Sequence, residues 1–108
     1  MTEAEVWHLN YSIAFNNRAL EEDRALLQMA YDQLRRHHQE LNIRRKAISA
    51  RQSIEYLTKK FIPDIQEEIA MIERLIEIRK LQLTGLTYEE AEAFLEAGAS
   101  ERQLELFG

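Results

Sequence analysis

The chain has 108 residues, 45% of them hydrophobic, with three glycines, one proline, no cysteine and a formal net charge of −5 at pH 7. This length and apolar content suit one globular domain and leave no room for a second core. The lack of cysteine excludes disulfide scaffolds, thiolate catalysis and cysteine-ligated zinc or iron–sulfur sites, and it favours a reducing, cytoplasmic setting. Without a run of about 18 apolar residues or a basic leader, we expect neither a membrane span nor a cleaved N-terminal segment.

The first sixty residues predict a very long helix. Before Pro63 the chain contains no glycine and no proline, the two residues that most often end a helix. Thr2 with Glu5 forms a capping-box pattern at its start. One continuous helix over residues 3–61 would be roughly 90 Å long at about 1.5 Å per residue. The alternative is a break near Asn42 that divides it into two helices.

An apolar residue recurs every seven positions along this span and beyond it. With one miss at Glu55, this seam consists of Val6, Ile13, Leu20, Leu27, Leu34, Leu41, Ile48, Ile62, Ile69, Ile76 and Leu83. A strict seven-residue repeat keeps one seam on a neighbouring helix when the two helices wind around each other. The positions three or four residues later are mostly polar, so the pattern favours bundle packing over a two-stranded coiled coil.

Near the N-terminus a second apolar stripe consists of Trp7, Tyr11 and Phe15. Successive spacings of four place these rings on one helix face, turned away from the seam. A helix with two apolar faces needs two neighbours, so we expect a homo-oligomer, most simply a dimer. The residues that we assign to its interface are Val6, Trp7, Tyr11, Ile13, Phe15, Leu20, Leu27, Leu34, Leu41 and Ile48.

Pro63 supports two opposing interpretations. Proline followed by Asp64 is typical of a first helical turn, which predicts a turn near residues 61–63 and a new helix over 64–84. Yet apolar spacings of three and four run straight across the proline, as in a kinked but continuous helix. These apolar residues are Ile54, Leu57, Phe61, Ile65, Ile69, Ile72 and Ile76. We favour the new helix.

Two short helices are predicted near the C-terminus. Gly85 suits the left-handed position that follows a helix, and Thr87 with Glu90 forms a capping box for a helix over 88–97. We expect Gly98 to close that helix.

The last predicted helix, over residues 100–107, ends in the apolar side chains of Leu104, Leu106 and Phe107, which we expect to dock on the rest of the protein. No segment shows the alternation that indicates a strand. The predicted fold class is therefore all-α: a long helical hairpin or bundle with coiled-coil-like packing and two short C-terminal helices, in a single domain over residues 1–108.

Charge is arranged in three blocks of alternating sign. Residues 1–34 carry two cations and six carboxylates, residues 35–60 carry eight and two, and residues 61–108 carry four and eleven. The eight central cations, here called the basic block, are Arg35, Arg36, Arg44, Arg45, Lys46, Arg51, Lys59 and Lys60. Such a block predicts a charge-matched neighbour, either the carboxylates of residues 64–77 or those of another chain.

Nucleic acid is the alternative partner for the basic block, because clustered cations neutralise phosphates. Against it, residues 35–60 contain a single aromatic residue, Tyr56, and no recognisable nucleic-acid-reading motif. A membrane surface is disfavoured, because the aromatic stripe lies beside acidic residues such as Glu3 and Glu5.

Catalytic or metal-binding patterns are few. Glu5 and His8 have the Glu-x-x-His spacing of di-metal helical bundles, but no second such motif exists, so an ordinary surface pair is preferred. His37 with Glu40 is likewise typical of a solvated contact one turn apart. We therefore predict a non-enzymatic, cofactor-free interaction protein in the cytoplasm: an adaptor, small inhibitor or assembly factor that pairs with itself and with another protein. A nucleic-acid-associated protein is the alternative, and a helical-bundle metalloprotein is less favoured.

Overall fold

The structure, a computed structural model, describes the backbone of residues 1–107 and the side chains of residues 1–98. Helical residues make up 88% of the chain, which confirms the all-α class, and residues 1–107 contain no strand. The helices are α1 (Glu3–Glu40), α2 (Ala47–Tyr56), α3 (Ile62–Leu83) and α4 (Tyr88–Phe107), with a π-turn (Leu57–Phe61) that joins α2 to α3. No helix in the described part of the chain combines the length and apolar content needed to cross a membrane.

The chain divides into two compact units. The first, here called the hairpin unit, consists of Arg18–Ile72. The second, here called the terminal unit, consists of Met1–Asn17 together with Glu73–Gly108. Each unit contains buried residues of its own.

Helix α1 ends at Glu40 although neither glycine nor proline stops it. The N–H groups of Asn42 and Ile43 donate to carbonyl oxygens three residues earlier, at 3.3 and 3.0 Å, which tightens the last turn and leads into the connection over residues 41–46. The chain therefore breaks near Asn42, and the continuous helix over 3–61 is wrong. The 38 residues of α1 span roughly 57 Å at about 1.5 Å each.

The turn back at residues 41–46 lets the hairpin unit form a core. Buried in it are Ala30 of α1, Leu57 of the π-turn and Ile62 of α3, surrounded by the half-buried side chains of Leu27, Leu34 and Phe61. On the surface, Gln66 Nε2 donates a hydrogen bond to Tyr31 Oη at 3.0 Å and ties α3 to α1. Packing of this kind contributes several kcal/mol, enough to override local helix propensity at the connection.

The predicted break at residues 61–63 is absent, because the chain stays helical through Pro63. Proline removes one backbone donor and its ring collides with the carbonyl four residues earlier, here that of Lys59. The π-turn widens the helix at this point, with the N–H of Ile62 donating to the carbonyl of Leu57, five residues back. The alternative interpretation, a distorted but continuous helix, is therefore the one that the structure contains.

In the terminal unit, both α3 and α4 contribute buried side chains. Ile76, Ile78 and Ala91 are buried there. At the surface, Arg74 of α3 reaches two carboxylates of α4, Glu92 at 3.6 Å and Glu96 at 3.5 Å. The shared cation links the two helices at the surface.

Helix α4 begins as the sequence predicts. Thr87 Oγ1 accepts from the N–H of Glu90 at 3.2 Å, and Glu90 Oε1 accepts from the N–H of Thr87 at 3.4 Å, a complete capping box. Before it, Gly85 adopts a φ of 109°, as expected of a glycine after the end of α3. At the start of α1, Thr2 Oγ1 accepts from the N–H of Glu5 at 3.2 Å, which is half of the predicted box.

The predicted end of α4 at Gly98 is wrong, and so is the separate helix over 100–107. Gly98 lacks the positive φ of a helix-closing glycine, and α4 runs on to Phe107. The predicted docking of Leu104, Leu106 and Phe107 concerns side chains outside those that the structure describes.

Candidate interaction surfaces

The most prominent feature of the surface is a row of aromatic side chains on α1. Trp7, Tyr11 and Phe15, here called the aromatic face, are 61%, 59% and 62% exposed. Their spacing of four residues places them on one side of the helix, as the sequence predicts. The terminal unit thus leaves its three largest α1 side chains largely in water.

The rings of the aromatic face are partly ordered by one another. Trp7 and Tyr11 stack with ring centroids 5.4 Å apart and planes inclined by 15°, and the His8 ring meets Trp7 edge-on at 5.3 Å. With aromatic side chains of about 150–250 Å² each, exposure near 60% leaves roughly 300–450 Å² of apolar surface in one strip. A patch of this size on a small protein commonly marks an interaction site.

The seam, the other predicted interface, lies mostly inside the protein. Leu20 is buried, and Leu27 and Leu34 pack against the core of the hairpin unit. Ile13 and Leu41 are half-buried. Val6 and Ile48, the first and last seam residues assigned to the interface, are exposed, Ile48 to 74%. The predicted interface residues therefore separate into an interior group and an exposed group.

All eight cations of the basic block are exposed. Three make sequence-local ion pairs: Arg35 with Asp32 at 3.2 Å, Lys59 with Glu55 at 3.0 Å and Lys60 with Asp64 at 3.2 Å. For Arg36, Arg44, Arg45, Lys46 and Arg51, no carboxylate among the side chains of residues 1–98 lies within ion-pair distance. Of the carboxylates in residues 64–77, Asp64 contacts the block, through Lys60 on the same helix.

Glu5 and His8 line a cavity of about 540 Å³ in the terminal unit, with Leu9, Gln82 and Leu86. Within the described residues, no group of three or more histidines and carboxylates is placed to hold a metal ion. Glu5 and His8 are two of the polar residues that line this cavity.

His37 and Glu40 are in contact, as their spacing predicts. His37 Nδ1 lies 3.2 Å from Glu40 Oε2, and both side chains are about one-quarter exposed. The contact orients the imidazole ring, because one of its two nitrogens is engaged with the carboxylate.

Sequence reasoning missed a second cavity, of about 370 Å³, in the hairpin unit. Polar residues of α2, among them Ser49, Gln52 and Ser53, face His37 of α1 across it. The sequence shows that α2 has one polar face, because polar residues recur on it at spacings of three and four, but it does not show that this face lies opposite α1.

Comparison with protein-family models, with curated proteins and with solved structures found no match for this chain.

Proposed function

We propose that the chain is a non-enzymatic helical interaction protein, an adaptor, small inhibitor or assembly factor, that acts as a homo-oligomer and pairs through the aromatic face. One observation carries the proposal: three large aromatic side chains, each about 60% exposed, share one side of α1. Interface cores are enriched in tryptophan, tyrosine and phenylalanine, and such residues supply most of the binding energy when a partner buries them.

A second copy of the chain fits this face. Trp7 and Phe15 are equally spaced about Tyr11, so an antiparallel pair related by a two-fold axis sets Trp7 of each copy opposite Phe15 of the other. That orientation also separates the two acidic first turns, which carry Glu3 and Glu5. A parallel pair would bring those carboxylates together, with a repulsive cost.

The available area indicates the strength of the pairing. The aromatic face offers roughly 300–450 Å² per copy, whereas a standard stable interface buries about 800 Å² per partner. The face thus supplies the apolar centre of an interface whose rim comes from neighbouring exposed residues, including Val6. We expect a reversible dimer with a dissociation constant in the micromolar range, about −8 kcal/mol.

Light scattering coupled to size-exclusion chromatography tests the proposal. Between about 1 and 100 µM, the measured mass should rise from that of one chain to that of two. The triple variant Trp7→Ser, Tyr11→Ser, Phe15→Ser should remain monomeric and keep its helical circular dichroism, because the three side chains are exposed in the protomer.

The matched control replaces exposed apolar residues of the hairpin unit, Ile48→Ser with Met71→Ser, and should dimerise like the natural chain. A natural chain that stays monomeric at about 100 µM would rule out the proposed pairing. So would a triple variant that dimerises as strongly as the natural chain.

Nucleic acid is a second candidate partner, favoured by the five cations of the basic block that have no carboxylate partner among the described side chains. Anisotropy titrations with labelled duplex DNA and single-stranded RNA at about 50 mM salt would detect such binding, which weakens steeply as salt rises. The variant Arg44→Glu, Arg45→Glu, Lys46→Glu should abolish it. If the natural chain does not bind, or binding survives this variant, nucleic acid is excluded as the ligand of the block.

A further inference from the structure

The second cavity, in the hairpin unit, is large enough to hold a small molecule. Its volume is about 370 Å³, within the range of about 300–1,000 Å³ that is usual for ligand pockets. Gln33 and His37 of α1 form one wall, and Ser49, Gln52 and Ser53 of α2 form the other. Tyr56 with Leu57 and Phe61 of the π-turn close the apolar end. We call this cavity the hairpin groove.

The π-turn explains why two aromatic rings share the hairpin groove. In an α-helix, residues five apart point about 140° away from each other. In a turn with hydrogen bonds between residues five apart, they come to nearly the same side. The ring centroids of Tyr56 and Phe61 accordingly lie 6.0 Å apart. Both residues line the groove, so an aromatic ligand bound there can contact both rings.

The polar part of the groove offers many donors. The amides of Gln33 and Gln52 and the hydroxyls of Ser49 and Ser53 supply N–H and O–H groups, and none of the described lining residues is acidic. His37, which also lines the groove, is held by Glu40, whose Oε2 lies 3.2 Å from Nδ1 of the ring.

The hairpin groove is built mostly from the part of the chain that carries the basic block. Apart from Gln33 and Phe61, its lining residues belong to the segment 35–60, which carries eight cations against two carboxylates. One of those carboxylates, Glu40, is engaged with His37, and the other, Glu55, pairs with Lys59. An excess of cations in the segment that supplies the groove, together with its donor side chains, favours an anionic ligand.

We propose that the hairpin groove binds a small aromatic carboxylate, with its ring against Tyr56 and Phe61 and its carboxylate among the amides and hydroxyls of the two walls. This site lies wholly in the hairpin unit and does not depend on self-association through the aromatic face. Binding involves no covalent step, and the ligand is recognised by its ring and its negative charge together.

Benzoate is the probe, and benzamide is its neutral counterpart of nearly equal size. Titration of each into isotopically labelled protein, followed by amide chemical shifts in NMR spectra, reports where and how tightly they bind. We expect benzoate to shift resonances of residues 33–37 and 49–61 in a saturable way, with a dissociation constant of about 1 mM or below. Benzamide should bind at least about tenfold more weakly, because it lacks the charge.

A charge variant tests the site itself. Gln52→Glu places a carboxylate in the groove with almost no change of shape and should weaken benzoate binding at least about tenfold. Gln39→Glu makes the same charge change on α1 at a residue that does not line the groove, and should leave the affinity within about twofold.

Three results would each overturn the proposal: no saturable shifts in the hairpin unit with benzoate, equal affinity for benzamide, or equal weakening by the two glutamate variants. Shifts confined to Trp7, Tyr11 and Phe15 would likewise place the probe on the aromatic face rather than in the groove. None of these results bears on dimer formation, which the chain's mass measures separately.

Discussion

The two units of the molecule use their apolar residues differently. The hairpin unit buries Ala30, Leu57 and Ile62 in one cluster and carries the basic block on its surface. The terminal unit buries Ile78 and the small side chain of Ala91, but it leaves three aromatic rings of α1 in water. Its described contacts also include a capping box, surface ion pairs and a guanidinium over a ring, at 5.9 Å between Arg79 and Tyr88.

This difference shows that a periodic apolar pattern marks a buried core in one unit and an exposed face in the other. In the hairpin unit the seven-residue repeat marks residues that the chain covers by folding back on itself, with the exception of Ile48. In the terminal unit, Trp7, Tyr11 and Phe15 are spaced as regularly as the residues of the repeat and have larger side chains. The described side chains nevertheless leave them exposed. Hydrophobic content alone therefore does not distinguish a core from a binding face. Covered residues should govern stability, and uncovered ones should govern association.

The largest expected effect contrasts two members of the seam. Ile62 is 7% exposed and Ile48 is 74% exposed. Replacing Ile62 by alanine should lower the free energy of unfolding by about 2–5 kcal/mol, because it removes buried methylene groups and leaves a cavity. The same change at Ile48 should alter stability by less than about 0.5 kcal/mol. Urea denaturation followed by circular dichroism measures both, and equal losses would mean that the seam acts as one continuous core.

Next in size is a pair of glycines in the terminal unit. Gly85→Ala should cost about 1–2 kcal/mol, because Gly85 has a φ of 109° that alanine adopts with strain. Gly98→Ala should stabilise by about 0.5–1 kcal/mol, because Gly98 lies inside α4 and a methyl group added there would meet only open space. Thermal unfolding measures both changes in stability, a loss for Gly85→Ala and a gain for Gly98→Ala. A loss of stability with Gly98→Ala would favour a helix that ends at this glycine.

The capping box should contribute somewhat less. Thr87→Ala removes the hydroxyl that accepts from the N–H of Glu90 and should cost about 1 kcal/mol. Thr87→Ser keeps an acceptor in the same place and serves as the control, with a loss of less than about 0.5 kcal/mol. If urea denaturation shows the same loss for both variants, the contact of the hydroxyl is not what stabilises the start of α4.

The smallest effect is expected for the ion pairs of Arg74. Its side chain is 44% exposed, and its two carboxylate partners lie at 3.5 and 3.6 Å. Arg74→Gln should cost no more than about 0.5 kcal/mol, and the difference should vanish in about 1 M sodium chloride, where surface charges are screened. A loss that persists at high salt would show that Arg74 acts through packing of its methylene groups.

Much of the fold was predictable from the sequence. The all-helical class followed from composition and periodicity, and the start of α4 followed from Thr87 and Glu90. The aromatic side chains were assigned to one helix face for the same reason, their spacing of four residues.

Three features could not be read locally. The turn at residues 41–46 contains neither glycine nor proline, and the core that it allows to form joins Ala30 and Leu57, which are far apart in sequence. The π-turn at Leu57–Phe61 lets the helix continue across Pro63. Short-range rules alone do not decide between a break at Pro63 and the continuous helix that the apolar spacing indicates. The hairpin groove joins side chains about twenty residues apart in sequence, and no single-helix pattern reveals that they meet.

The fluorescence of Trp7, the one tryptophan of the chain, tests the central claim most directly. Trp7 lies in the aromatic face, so dilution from about 100 µM to below 1 µM should shift its emission to longer wavelength and increase its quenching by acrylamide. A Tyr11→Ser, Phe15→Ser variant should show the long-wavelength, readily quenched emission at every concentration. If the emission wavelength of Trp7 and its quenching by acrylamide stay the same over this whole range in the natural chain, self-association through the aromatic face is contradicted.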